Sequence, residues 1–247
     1  MSDVLTMTAR SFRLTSRQLD SLLTALALPV LLMLLFVGLF GGAIHTGTSY
    51  VTYVLPGVLL LCAGYGAAIT AVSVSQDMTG GIIDRFRSMD VPGPAILAGH
   101  IAASIARTIA STILVFGVGC LIGFRPHASL PGWLAAAGLL LAFILAISWL
   151  AAAYGLAVKT PEAANGFMFI VAFLPYASSA FVPVATMPGW IQGFARNQPI
   201  TPVAQSLRGL LLGTPVGTAP WVALAWFGGI LAVSLVLSGV LFSRRTA

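Results

Sequence analysis

The chain has 247 residues, 58% of them hydrophobic and only 7% charged, with a formal net charge of +6 and a mean hydropathy of +1.00. An average soluble domain is about 25% charged, so too little polar surface is present to cover a water-soluble globule. The positive charge is scattered over segment ends, with no basic stripe interleaved with aromatics, which argues against a nucleic-acid partner.

From the N-terminus, Leu5, Phe12 and Leu19 recur every seven residues, with Arg10, Arg13 and Arg17 on the opposite face. This predicts an amphipathic helix over residues 1–20 lying in the inner membrane interface; a frayed tail is the alternative. Next come runs that lack any Asp, Glu, Lys or Arg: Leu22 to Phe40, Tyr50 to Gln76, Trp133 to Val158 and Trp221 to Phe242. Each is about as long as the roughly 20 residues that cross a bilayer as a helix. Six transmembrane helices are predicted, at about 21–41, 50–74, 95–124, 133–157, 163–184 and 220–242. The first run is too long for a signal-peptide core and is expected to remain as an anchor.

Helix 2 carries Pro56 near its outer end, and Cys62, Gly64 and Gly66 give it small surfaces for close helix packing. Cys62 and Cys120 both lie in apolar spans and read as packing residues. Between helices 2 and 3 the composition changes: Asp77, Asp84, Arg85, Arg87 and Asp90 fall within twenty residues of an otherwise uncharged region. Gly80 and Gly81 supply a break, and Ile82, Phe86 and Met89 follow at helical spacing. A solvated loop would not need those three. A short helix with an apolar knob and a charged rim suits docking, because anchors fill a pocket and rim charges set register.

Helix 3, from Pro94 to Phe124, would be about 46 Å long at 1.5 Å per residue, against a hydrocarbon core of about 30 Å. His100, Ser104, Arg107 and Ser111 share one of its faces. Ser104 and Arg107 are the candidate intramembrane polar residues, and Arg107 either has a helix-packing or gating role or snorkels to headgroups.

Helix 5 should start cleanly, with Thr160 as cap, Pro161 at the first helical position and Glu162 in the first turn. Pro175 should kink it. Phe167, Phe173, Tyr176 and Phe181 are candidates to line a path for apolar cargo, although such residues more often face lipid or other helices. Residues 187–215 are too long for a turn and too interrupted for a span. Trp190, Ile191 and Phe194, then Val203, Leu207, Leu210 and Leu211, predict two short amphipathic helices around the Pro199–Pro202 break. They either dip into the outer leaflet and return, or lie flat on it; Asn197 and Arg208 are candidates to hold the pair.

Basic residues set the orientation. Arg10, Arg13, Arg17, Arg85, Arg87, Lys159, Arg244 and Arg245 fall on one side, and Arg125, Arg196 and Arg208 on the other. Eight against three puts both termini in the cytoplasm. The chain has no G-x-x-x-x-G-K-[ST] phosphate loop, no acid within its predicted spans of the kind ion-coupled pumps carry, and no His or Cys at metal spacing. Work for uphill transport would have to come from a partner.

Three stretches carry a family resemblance: GGIIDRFRSM at 80–89, Gly99 to Arg107 with GFR at 123–125, and SSAFVPVATMPGW at 178–190 running into NQPITPVAQSLRGLLLG at 197–213. Through them nearly the whole chain resembles the permease subunits of type-2 ABC transporters, in particular the daunorubicin-resistance-type exporters. The resemblance implies an all-α membrane protein with an interfacial N-terminal helix, six spans and a re-entrant helical pair before the last one. On that plan residues 1–247 form a single transmembrane domain: interfacial helix 1–20, spans one to five in 21–184, a cytoplasmic coupling helix at about 77–90, an outer re-entrant segment 185–219, and 220–247 as last span and tail.

The resemblance also implies two permeases, identical or related, in a bacterial plasma membrane with two cytoplasmic ATPases. ATP and Mg would lie on the ATPases, and this chain would hold no cofactor and no ATPase site of its own. The cargo would be hydrophobic or amphipathic: a drug, polyketide or lipid. Coupling would fall on Asp77, Gly81, Ile82, Asp84, Arg85, Phe86, Arg87 and Met89. Two places depart from the family pattern. Asp90 stands where a proline is common, and His100 and Ser104 stand where many members have Arg and Asp. A rival function, a membrane scaffold that recruits a cytoplasmic partner through the same helix, would show no stimulated ATP hydrolysis.

Overall fold

The computed structural model describes residues 19–42, 44, 47–80 and 93–246. Among these residues 82% are helical and none is in a strand. In chain order the elements are α1 (Leu19–Phe40), α2 (Tyr50–Thr79), α3 (Gly93–Leu121), α4 (Leu130–Ala157), α5 (Pro161–Ala164), α6 (Gly166–Tyr176), a 3-10 turn (Val184–Thr186), α7 (Gly189–Asn197), α8 (Ile200–Leu212) and α9 (Ala219–Thr246). Among the described residues four helices are long and apolar enough to cross a membrane: α2, α3, α4 and α9. The expected interfacial helix falls almost wholly outside the described residues.

The bundle is built around α2, which packs against α1, α3, α4, α6 and α8 and has 83% of its apolar window buried. Its small residues make this possible, since helices in a bilayer associate through close backbone approach. A Cβ on Gly64 would collide with Val171 of α6, and one on Gly66 with the Thr108 side chain of α3. α9 is the opposite case. It rests on α4 and α8 through Ala223, Phe227, Ser234 and Ser238, and only 17% of its window is buried.

The fifth predicted helix differs most from expectation. Its start is as read: Thr160 Oγ1 accepts from Ala163 N at 3.2 Å, with Pro161 in the first turn. The helix is then interrupted at Asn165. It ends at Tyr176 rather than running to 184, and residues 177–182 form turns and a bend. Pro175 lacks an N–H to continue the ladder, and the serines after it satisfy the backbone locally. Ser178 Oγ donates to Pro175 O at 2.5 Å and accepts from Ala180 N at 3.0 Å. Ser179 N donates to Thr201 Oγ1 of α8 at 3.1 Å.

Candidate functional site

Polar groups collect in two places. The first is a seam along α3. His100 Nε2 lies 3.1 Å from Asp77 Oδ2 of α2. One turn on, Ser104 Oγ shares a 2.9 Å hydrogen bond with Ser148 Oγ of α4. Arg107 then donates from Nη2 to Gly66 O and to Thr70 Oγ1 of α2, both at 2.9 Å. Three residues on one helical face thus reach two different neighbours. Arg107 is buried and turned inward onto α2.

Asp77, expected on the coupling element, belongs to the last turn of α2 and is buried against α3. Gly81, Ile82, Asp84, Arg85, Phe86, Arg87 and Met89 lie outside the described residues. The Asp77–His100 pair was not foreseen. Its signal is modest: an acid in the last turn of α2 and a histidine two turns into α3 face each other when the two helices run antiparallel.

The second place is the junction of α7 and α8 with the start of α2. Arg208 donates from Nε and Nη2 to Tyr53 O at 3.1 and 2.9 Å, and from Nη2 to Ser179 O at 3.1 Å. Its guanidinium carbon sits 3.6 Å from the centroid of the Tyr53 ring, well inside cation–π range. Tyr53 OH donates to Ser179 O and Tyr50 OH to Phe181 O. Arg208 thus bridges α8, the start of α2 and the turns after α6.

Asn197 does not share that role; its Nδ2 donates to Gly193 O within α7. Gln198 is the tie instead. Its Nε2 donates to Leu174 O at 3.1 Å, and its Oε1 accepts from Ile200 N at 3.0 Å. The reason is that α6 stops early: Ser178 N bonds to Pro175 O, and Leu174 O is left for a side chain from elsewhere. Pro199 takes the position just before α8, and Thr201 Oγ1 donates to Ala195 O across the break.

The four candidate path aromatics do not form one wall. Phe167 is buried beside Tyr154, with centroids 5.4 Å apart. Phe181 is buried against Phe36 and Tyr176 at 4.8 and 5.2 Å. Phe173 points outward, 60% exposed. An apolar recess of about 230 Å³ lies instead between α2, α3, α4 and α8, lined by Leu59, Phe116, Trp133 and Leu207 among others. A shallower one of about 590 Å³ lies along α4 and α9. Neither is lined by a predicted path residue.

Nothing in either polar cluster is arranged as a nucleophile with a base. Both clusters tie helices together, and each takes part of its residues (His100, Ser104 and Arg107; Ser179, Gln198 and Arg208) from the stretches through which the chain resembles known permeases. Residues 2–212 match the family described as ABC-2 type transporter, a match that ends with the last residue of α8. The daunorubicin resistance ABC transporter permease protein DrrB1 of Streptomyces coeruleorubidus is 31% identical over 92% of this chain and 81% of its own length. The probable doxorubicin resistance ABC transporter permease protein DrrC of Mycobacterium tuberculosis is 25% identical over 100% of this chain and 90% of its own. With the family matched over most of its length and a relative this similar, the chain belongs to the ABC-2 type transporter permeases.

Proposed function

We propose that the chain is the transmembrane subunit of an ATP-driven exporter that carries a hydrophobic or amphipathic compound out of a bacterial cell. The observation that carries this reading is its membership in a permease family whose similar members are named for daunorubicin and doxorubicin resistance, together with the lack of a phosphate loop in its sequence. The ATPase is then a separate subunit, present in two copies and holding ATP and Mg. A second permease, identical or related, completes the transmembrane part.

In this reading both termini are cytoplasmic and the six crossings are α1, α2, α3, α4, α5–α6 with the turns after it, and α9. The segment after α2, with Ile82, Phe86 and Met89 as anchors and Asp84, Arg85 and Arg87 as rim, docks the ATPase. The α7–α8 pair re-enters from the outside. Supporting this over a pair lying flat, nine of the thirteen residues of α8 are buried and α8 packs on α2, α4 and α9. Irregular backbone at membrane depth has to be buried in protein in this way.

Docking is tested by Phe86→Ala and Arg87→Ala in cells that also make the ATPase. Each is expected to abolish ATP-dependent efflux while the protein stays in the membrane at its normal level. Wild-type efflux in both variants would remove the docking role.

A further inference from the structure

Asp77 and His100 stand on the two helices that the docking segment joins. Asp77 lies in the last turn of α2 and His100 two turns into α3, with Oδ2 and Nε2 3.1 Å apart. The side chains of His100 and Asp77 are only 11% and 12% exposed, which shields the pair from the screening that makes exposed ion pairs weak. Further along α3, Ser104 bonds to α4 and Arg107 to α2. The Asp77–His100 tie lies nearer the docking segment than either.

The packing around this tie is separate from the main core. Val74, Leu97, Ile101, Ala152 and Leu156 form a small hydrophobic cluster of their own, where the end of α2 and the end of α4 meet the start of α3. A region with few buried apolar contacts is where local opening costs least. Val74 is one turn from Asp77 on α2, and Leu97 and Ile101 flank His100 on α3. A polar tie at the edge of so small a cluster counts for more than it would in the large core.

Few other titratable groups belong to the elements packed here. The stretch 145–157 of α4 carries only Tyr154, whose OH donates to Ala163 O. Arg107 on α3 donates to Gly66 and Thr70, Arg244 near the end of α9 is exposed, and Asp20 belongs to the first turn of α1. Among the described residues the charge found against the imidazole is that of Asp77. Histidine is the side chain whose ordinary titration falls between about pH 5 and 8. Below that range the contact joins two opposite charges; above it the imidazole is neutral and the hydrogen bond weaker.

We propose that the Asp77–His100 pair is a proton-operated clasp on the coupling between ATP hydrolysis and transport. Protonated, it makes the ends of α2 and α3 move as one when the ATPase displaces the docking segment; deprotonated, it lets one helix slip past the other. His100 is a positioning residue, acting through the two helices rather than on cargo or nucleotide. The inference rests on the exporter reading for what the clasp transmits, while the clasp itself does not depend on transport.

The full chain is first placed in nanodiscs, and amide exchange over residues 74–79 and 94–101 is followed with pH, corrected for the intrinsic rate. The wild type is expected to slow by about threefold or more from about pH 8 to about pH 5. His100→Gln should exchange fast at both ends of that range, and His100→Arg, charged throughout, slowly at both. The chain is then joined with its ATPase in proteoliposomes, and the movement of a fluorescent anthracycline is divided by the ATP hydrolysed. That ratio should rise about twofold or more as pH falls in the wild type. It should stay level in both variants, high for His100→Arg and low for His100→Gln. A merely structural histidine would give neither the pH response nor the rescue by arginine. Wild-type exchange that ignores pH or is matched by His100→Gln overturns the proposal, as does a wild-type ratio that is flat or whose pH profile persists in His100→Arg. If His100→Gln does not fold, the wild type against His100→Arg decides by the same criteria. An exchange response with no ATP-dependent movement in any of the proteins would sink the exporter reading and leave the clasp.

Discussion

Arg107 sits near the middle of α3, where a cation in a bilayer has to be turned inward or carried to the headgroups. The structure turns it inward, onto a backbone carbonyl and a hydroxyl of α2. Hydrogen bonds between helices in membranes contribute roughly 0.6–2 kcal/mol each, and those made by charged donors lie toward the upper end. Arg107→Met is therefore expected to lower stability by about 1–3 kcal/mol in a reversible unfolding assay in lipid. Thr70→Val should cost clearly less in the Arg107→Met background than in the wild type. Additive effects would mean that the two side chains do not act together.

The Asp77–His100 pair belongs to the same scale. In the fold His100 Nε2 of α3 lies 3.1 Å from Asp77 Oδ2 on α2. A contact across 23 positions is invisible to local pattern, because it depends on how the two helices are rotated about their axes.

At the scale of elements, apolar runs and small residues were informative because they report local physics. The starts of α2, α4 and α9 fall within a few residues of expectation, and Gly64 and Gly66 mark the surfaces on which α6 and α3 seat. Gly64→Val or Gly66→Val should overpack those seams, at a cost of about 1–3 kcal/mol, and reduce the folded fraction in size-exclusion profiles. Unchanged profiles would mean that the helices do not approach so closely.

The end of α6 was not legible, because it depends on Ser178, Ser179 and a partner, Thr201, about two helices later in the chain. The aromatic path was not legible either. Hydrophobicity alone does not separate a plug such as Phe181 from an outward-facing ring such as Phe173. Gln198 is one of the side chains that tie the end of α6 to the α7–α8 pair. Gln198→Leu should speed amide hydrogen exchange over residues 198–204 and leave the α2 amides unchanged. Equal exchange in the two proteins would show that the Gln198 bonds do not hold the pair.

At the scale of the whole molecule, the chain is an apolar bundle around one buried helix, with a polar seam along α3 and a cross-tied junction where α7, α8 and the start of α2 meet. In the proposed exporter the seam joins the helices flanking the docking segment, so a push there moves α2 and α3 together. The junction holds the far end of α2 against the α7–α8 pair. The central claim of the proposed exporter is that the arrangement needs an outside source of work. The direct measurement is cargo movement in proteoliposomes containing the chain alone, the ATPase alone, or both, using a fluorescent anthracycline with and without ATP. ATP-dependent movement is expected only when both are present and hydrolysis is intact. Transport by the chain alone, or none with an active ATPase bound and anthracyclines, polyketides and lipids all tried, would contradict it.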